Sequence, residues 1–101
     1  MPFAVMNTVR GTPEEVGLIV AQVQLLELDD LYRRDGYRQS RLLLAEDGTE
    51  AIMIMEWESR EQFLAYRQSE VGQRVVEAVV EWHPKISFYD VIVATEAPPK
   101  A

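Results

Sequence analysis

The chain has 101 residues, 48% of them hydrophobic and 27% charged, the composition of one small globular domain. Seventeen acidic residues against ten basic leave a net charge of −7, which repels phosphate backbones and anionic headgroups and argues against nucleic acid as a partner. The absence of cysteine excludes disulfides, thiolate nucleophiles and cysteine-bound metal, and a single histidine cannot build an imidazole-rich metal site.

Phe3 to Arg10 alternates, with Phe3, Val5, Asn7 and Val9 on one side and Ala4, Met6, Thr8 and Arg10 on the other, as in a half-buried strand. Gly11 breaks the strand. Thr12-Pro13-Glu14-Glu15 then carries a hydroxyl cap, a proline in the first turn and a glutamate three residues after the cap, the marks of a helix start. Val16, Ile19, Val20, Val23 and Leu26 or Glu27 give this helix an apolar stripe, which Leu18, Leu25, Leu28 and Tyr32 widen toward a second neighbour. Asp35-Gly36 offers a left-handed stop, so the helix is expected to reach about Arg34. Asp29 with Arg33 and Asp30 with Arg34 read as a solvated face of ion pairs.

Tyr37 to Ala45 and Glu50 to Glu58 read as two strands joined through an Asp47-Gly48 turn into an antiparallel hairpin. Ser59-Arg60-Glu61-Gln62 repeats the capping pattern and opens a helical region whose face carries Phe63, Tyr66, Val71, Val75, Ala78, Val79 and Trp82. Gly72 is the expected break within it. His83-Pro84 ends the region, with the proline expected to push His83 toward extended backbone. A last strand is expected from Lys85 to Thr95, rich in β-branched and aromatic residues, and 97–101 reads as a disordered tail behind one domain over 1–96.

The order β-α-β-β-α-β is the split arrangement of a ferredoxin-like α+β fold, in which helices cover one face of a four-stranded antiparallel sheet. The other face cannot stay bare, because a segment such as Ala51-Ile52-Met53-Ile54-Met55 is apolar on both sides. A twofold homodimer with sheets face to face is therefore expected. The longest unbroken apolar run, Ala51 to Met55, falls far short of the roughly 20 residues of a membrane span. No basic, apolar leader opens the chain, so a cytoplasmic protein without a membrane partner is expected.

Trp57-Glu58-Ser59, the Glu61-Gln62-Phe63 that follows, and the upstream Asp35-Gly36-Tyr37 resemble the antibiotic biosynthesis monooxygenase family, a group of dimeric α+β barrels, over nearly the whole chain. The resemblance implies that Asn7 and Trp57 correspond to residues which the haem-degrading branch uses beside its porphyrin. Where that branch has its iron-ligating histidine, this chain has Arg74, Val75, Val76 and Glu77. The branch that oxidises aromatic polyketides without metal or flavin uses an asparagine on the third strand, whereas Met53 and Phe63 stand here at the places of its polar partners. The sequence departs from both patterns.

An electron-rich phenolate can itself reduce oxygen, so such a protein needs no cofactor; it needs an apolar cavity and a few fixed donors. The family resemblance implies a monooxygenase acting on an aromatic or polycyclic phenol, with Asn7 and Trp57 orienting substrate and stabilising its anion. His83 carries an imidazole, the side chain most often used as a general base, although a pre-proline loop position suggests an exposed side chain. Tyr66, Met53, Phe63 and Trp82 are the candidate substrate-binding residues, and Tyr89 is a further aromatic that could line a pocket. Without the resemblance, Trp57 reads as a core or rim aromatic, Tyr66, Tyr89 and Trp82 as core packing, and Asn7 as a buried amide bonded to backbone. The alternative is a non-catalytic dimer that binds a small hydrophobic molecule or serves as a scaffold.

Overall fold

The structure is a computed structural model and describes residues 1–92, 95, 97 and 98. Its elements run β1 (Phe3–Arg10), α1 (Pro13–Leu31), β2 (Tyr37–Leu44), β3 (Glu50–Trp57), α2 (Arg60–Gln68), α3 (Glu70–Val79), a 3₁₀ turn (Val80–Trp82) and β4 (Lys85–Asp90). The strands form one antiparallel sheet in the order β2-β3-β1-β4, the ferredoxin-like α+β arrangement expected from the sequence.

Alternation decides what each face carries. Phe3, Val5, Asn7 and Val9 lie in register with Trp57, Met55, Met53 and Ala51, and all of these residues face the helices. A bulge between Tyr37 and Gln39 shifts β2 by one residue, so Tyr37, Ser40 and Leu42 share that face. The open face carries Ala4, Met6, Leu43, Ile52, Ile54 and Tyr89. Tyr89 pairs with Ala4 there and is about half exposed, so it lines no pocket under the helices.

Two clusters fill the layer between sheet and helices. Phe3, Val5, Leu31, Met55, Trp57, Phe63 and Tyr66 pack at one end of β1, and Val9, Ile19, Val23, Val75 and Val79 at the other. α1 begins as expected, with Thr12 Oγ1 accepting from Glu15 N and the Glu15 carboxylate accepting from Thr12 N.

Several boundaries differ from expectation, each for a local reason. α1 stops at Leu31 rather than near Arg34, because Arg33 N and Arg34 N bond back only three residues and Arg34 folds onto Asp30. Gly36, at φ +84°, then reverses the chain, and any side chain there would collide with Gln62. β2 and β3 each end one residue early, at Leu44 and Trp57.

The helical region breaks at Ser69, whose Oγ caps α3 by accepting from Gly72 N, and not at Gly72. Gly72 sits inside α3 because a Cβ there would strike the backbone at Tyr66 and Arg67. His83 is left-handed at φ +48° rather than extended. Leu18 and Leu25 point to solvent rather than to a second neighbour, Tyr32 is largely exposed but meets Tyr37 edge-on, and the Leu28 side chain lies outside the described residues. β4 ends at Asp90, opposite Phe3 where β1 begins, with one more bond from Val91 N to Pro2 O. Ile92 is irregular, and residues 93 and 94 of the expected strand and 99–101 of the tail lie outside the described residues. Among the described residues no helix is long and apolar enough to cross a membrane.

Candidate active site

Valines are short, and where they replace aromatics in the layer a hollow remains. One lobe, of about 240 Å³, lies between α1 and the β2–β3 edge, against Ile19, Val23, Tyr37, Ser40 and Leu42. A second, of about 330 Å³, lies between the helices α2 and α3 and strands β1 and β4, against Val5, Phe63, Tyr66, His83 and Ile86. Asn7, Glu27, Met53, Val75 and Val79 stand in the walls of both.

The sequence-predicted residues divide accordingly. Asn7 and Met53 line both lobes, and Tyr66, Phe63 and His83 line the second. Asn7 does not settle onto backbone: its Oδ1 is buried with no hydrogen-bond partner among the described residues. Such an orphan acceptor costs about 1–3 kcal/mol and is relieved by a ligand that donates to it. Trp57 is wholly buried and lies behind the wall, stacked on Tyr66 with ring centroids 5.5 Å apart and edge-on to Tyr37 and Phe63. Its Nε1 is also buried without a partner among the described residues. Trp82 packs against the valine cluster, outside either lining.

Sequence reasoning missed the principal charged group. Glu27 is 4% exposed and sits on the apolar face of α1, one turn beyond Val23. Tyr66, 39 residues away on α2, donates its hydroxyl to Glu27 Oε2. Burial pushes the Glu27 carboxyl up to about 7; the Tyr66 hydrogen bond opposes this and the nearby Asp30 adds to it. Burial and the Glu27 charge push the Tyr66 hydroxyl above its ordinary range, so it stays protonated as a donor. Arg34, paired with Asp30 at 2.9 Å, places its guanidinium 5.6 Å over the Tyr66 ring. The only signal in the sequence was a carboxylate in register with the Val16-Ile19-Val20-Val23 stripe, a position that demands burial.

The family model described as antibiotic biosynthesis monooxygenase matches residues 2–78. The chain belongs to that family. No curated protein sequence matches it. Among solved structures, Rv0793 from Mycobacterium tuberculosis superposes with a TM-score of 0.82 at 18% identity, covering 95% of this chain and 100% of that one. The ActVA-Orf6 monooxygenase of Streptomyces coelicolor, in complex with the ligand nanaomycin D, gives 0.78 at 16% identity over 96% and 92%. A variant of SnoaB, a cofactor-independent oxygenase from Streptomyces nogalater, gives 0.71 at 15% over 92% and 95%. At such identities these likenesses establish the fold.

Val75 and Val76 of α3 stand in the lining of the second lobe.

Proposed function

We propose that this protein is a cytoplasmic monooxygenase that needs no prosthetic group and acts on an aromatic or polycyclic phenolic molecule with molecular oxygen. The observation that carries the reading is the mostly apolar two-lobed hollow in which Asn7 and Glu27 are the polar residues common to both lobes. Valine and methionine walls suit flat rings, and the few polar groups among them would fix the orientation of such a ligand. Asn7 orients the substrate through its amide and stabilises oxyanion charge with its N–H donors. In the oxidation of an anthrone, the CH₂ carbon loses two hydrogens and gains one atom of O₂, and the other oxygen atom leaves with those hydrogens as water. Membership of the monooxygenase family and the fold shared with SnoaB support the same reading.

Oxygen uptake with an anthrone or a dihydroquinone tests it. Wild type is expected to consume oxygen, Asn7→Ala to be slower by roughly 100-fold, and Trp57→Phe to be slowed less because that ring stands behind the wall. Binding without oxygen uptake would assign the chain to the alternative, a non-catalytic binder of small hydrophobic molecules. The purely apolar Met53 and Phe63 and the position of Trp57 are what favour that alternative.

The same reading includes a twofold homodimer built on the open sheet face, where Met6, Ile52 and Ile54 of one copy would cover those of another. Sedimentation at micromolar concentration is expected to give a dimer for wild type and a monomer for Ile54→Glu. A monomeric wild type would remove the dimer from the account.

A further inference from the structure

The functional reading leaves one buried titratable group without a task. Glu27 lies in the wall of both lobes, and Tyr66 occupies its Oε2, which leaves Oε1 for a ligand. Asn7 Oδ1 is a second acceptor in the same wall without a partner. Two such acceptors suit a ligand that donates to them, and an acidic hydroxyl is the group that can also surrender its proton.

We propose that Glu27 is the proton acceptor of this site: it takes the proton of a bound phenol, while the Tyr66 hydroxyl holds its other oxygen in place. The O–H bond of the phenol breaks, the proton passes to the Glu27 carboxylate, and the electron pair stays on the phenolate. The inference rests on the proposed oxygenase reading, for which the phenolate is the electron-rich species required.

The surroundings suit the role. Burial keeps the Glu27 carboxyl near neutrality, where a general base is most effective. Tyr66 on α2 is its hydrogen-bond donor, and Asp30 on α1 opposes its ionisation. Arg34 after α1 is held by Asp30 and the Tyr66 ring, and His83 before β4 and Arg67 on α2 reach the second lobe. The carboxylate thus has one hydroxyl donor and no direct ion-pair partner among the described residues.

The test uses the full chain and 4-nitrophenol, whose hydroxyl ionises near neutrality and whose two protonation states differ in colour. Calorimetry at about pH 8, in two buffers of different ionisation enthalpy, counts the protons taken up on binding. A phenolate cannot enter beside an ionised Glu27 without a shared proton, so wild type is expected to take up about one proton per site. Glu27→Gln, which keeps the shape and the acceptor for Tyr66, is expected to bind with close to none. Tyr66→Phe is expected to keep the uptake and to show weaker binding. Equal proton counts in wild type and Glu27→Gln overturn the assignment while leaving the cavity reading intact. No binding by wild type overturns the cavity reading and this inference with it.

Discussion

The two ends of the layer beneath the helices are made of different side chains and have different consequences. At the end where β1 begins, Phe3, Trp57, Phe63, Tyr66 and the half-buried Tyr37 interlock with ring centroids 5.5–6.2 Å apart. Large planar groups fill that space and leave Trp57 with no exposure at all. At the other end, Val9, Val23, Val75 and Val79 are shorter, and the hollow runs from there to the inner edge of the aromatic cluster at Val5, Phe63 and Tyr66. Glu27 and Tyr66 sit where the two meet, so the carboxylate is positioned by a ring that the aromatic end keeps fixed.

The largest effect that would break this contrast is expected at the solid end. Trp57→Ala removes the ring behind Tyr66 and should cost about 3–5 kcal/mol in urea unfolding. A loss below about 1 kcal/mol would mean that the aromatic end is not the frame. The next effect comes from Glu27 and depends on pH. Because burial raises its carboxyl from 4.5 to about 7, its contribution to stability is fully present below 4.5 and is lost as pH rises through 7. Glu27→Gln should therefore match wild type near pH 4 and exceed it by about 3 kcal/mol near pH 8, read by unfolding at both values.

The hollow end should tolerate added volume. Val75→Leu places one more methylene in the cavity and should change stability by less than about 1 kcal/mol while weakening 4-nitrophenol binding in the same calorimetry. A large loss of stability would show the space to be already filled. The smallest effect is expected at the junction's outer rim: Asp30→Asn frees Arg34 from a partly buried pair and should lower stability by about 0.5 kcal/mol, visible as a shift of a few degrees in Tm.

Much of the frame was legible in the residues. The alternation through Phe3-Val5-Asn7-Val9, the Thr12 and Ser59 caps and the Asp47-Gly48 turn are local patterns, and each yields the expected element. The break in the second helical region was misplaced because Gly72 carries two meanings. A glycine inside a helix can end it or admit another backbone, and only the approach of Tyr66 and Arg67 decides which. His83 was expected to be extended on the strength of its proline, yet the 3₁₀ turn before it delivers the chain at a left-handed angle.

The site was legible in part. Asn7 announced itself as a polar residue on an apolar strand face, and Met53 lies opposite it in register. Glu27 stayed hidden within the alternative Leu26 or Glu27, since helical spacing alone does not say which of two neighbours turns inward.

What the sequence by itself determined is therefore the order of elements and the face that each strand turns to the helices. Those follow from backbone periods and capping chemistry within a few residues. Only the tertiary structure decided that Glu27 meets Tyr66 across 39 residues, that Trp57 stands behind the wall, and that valines at one end leave a hollow. Those depend on the distance between sheet and helices, which is set jointly by all the side chains packed into the layer and by no segment alone.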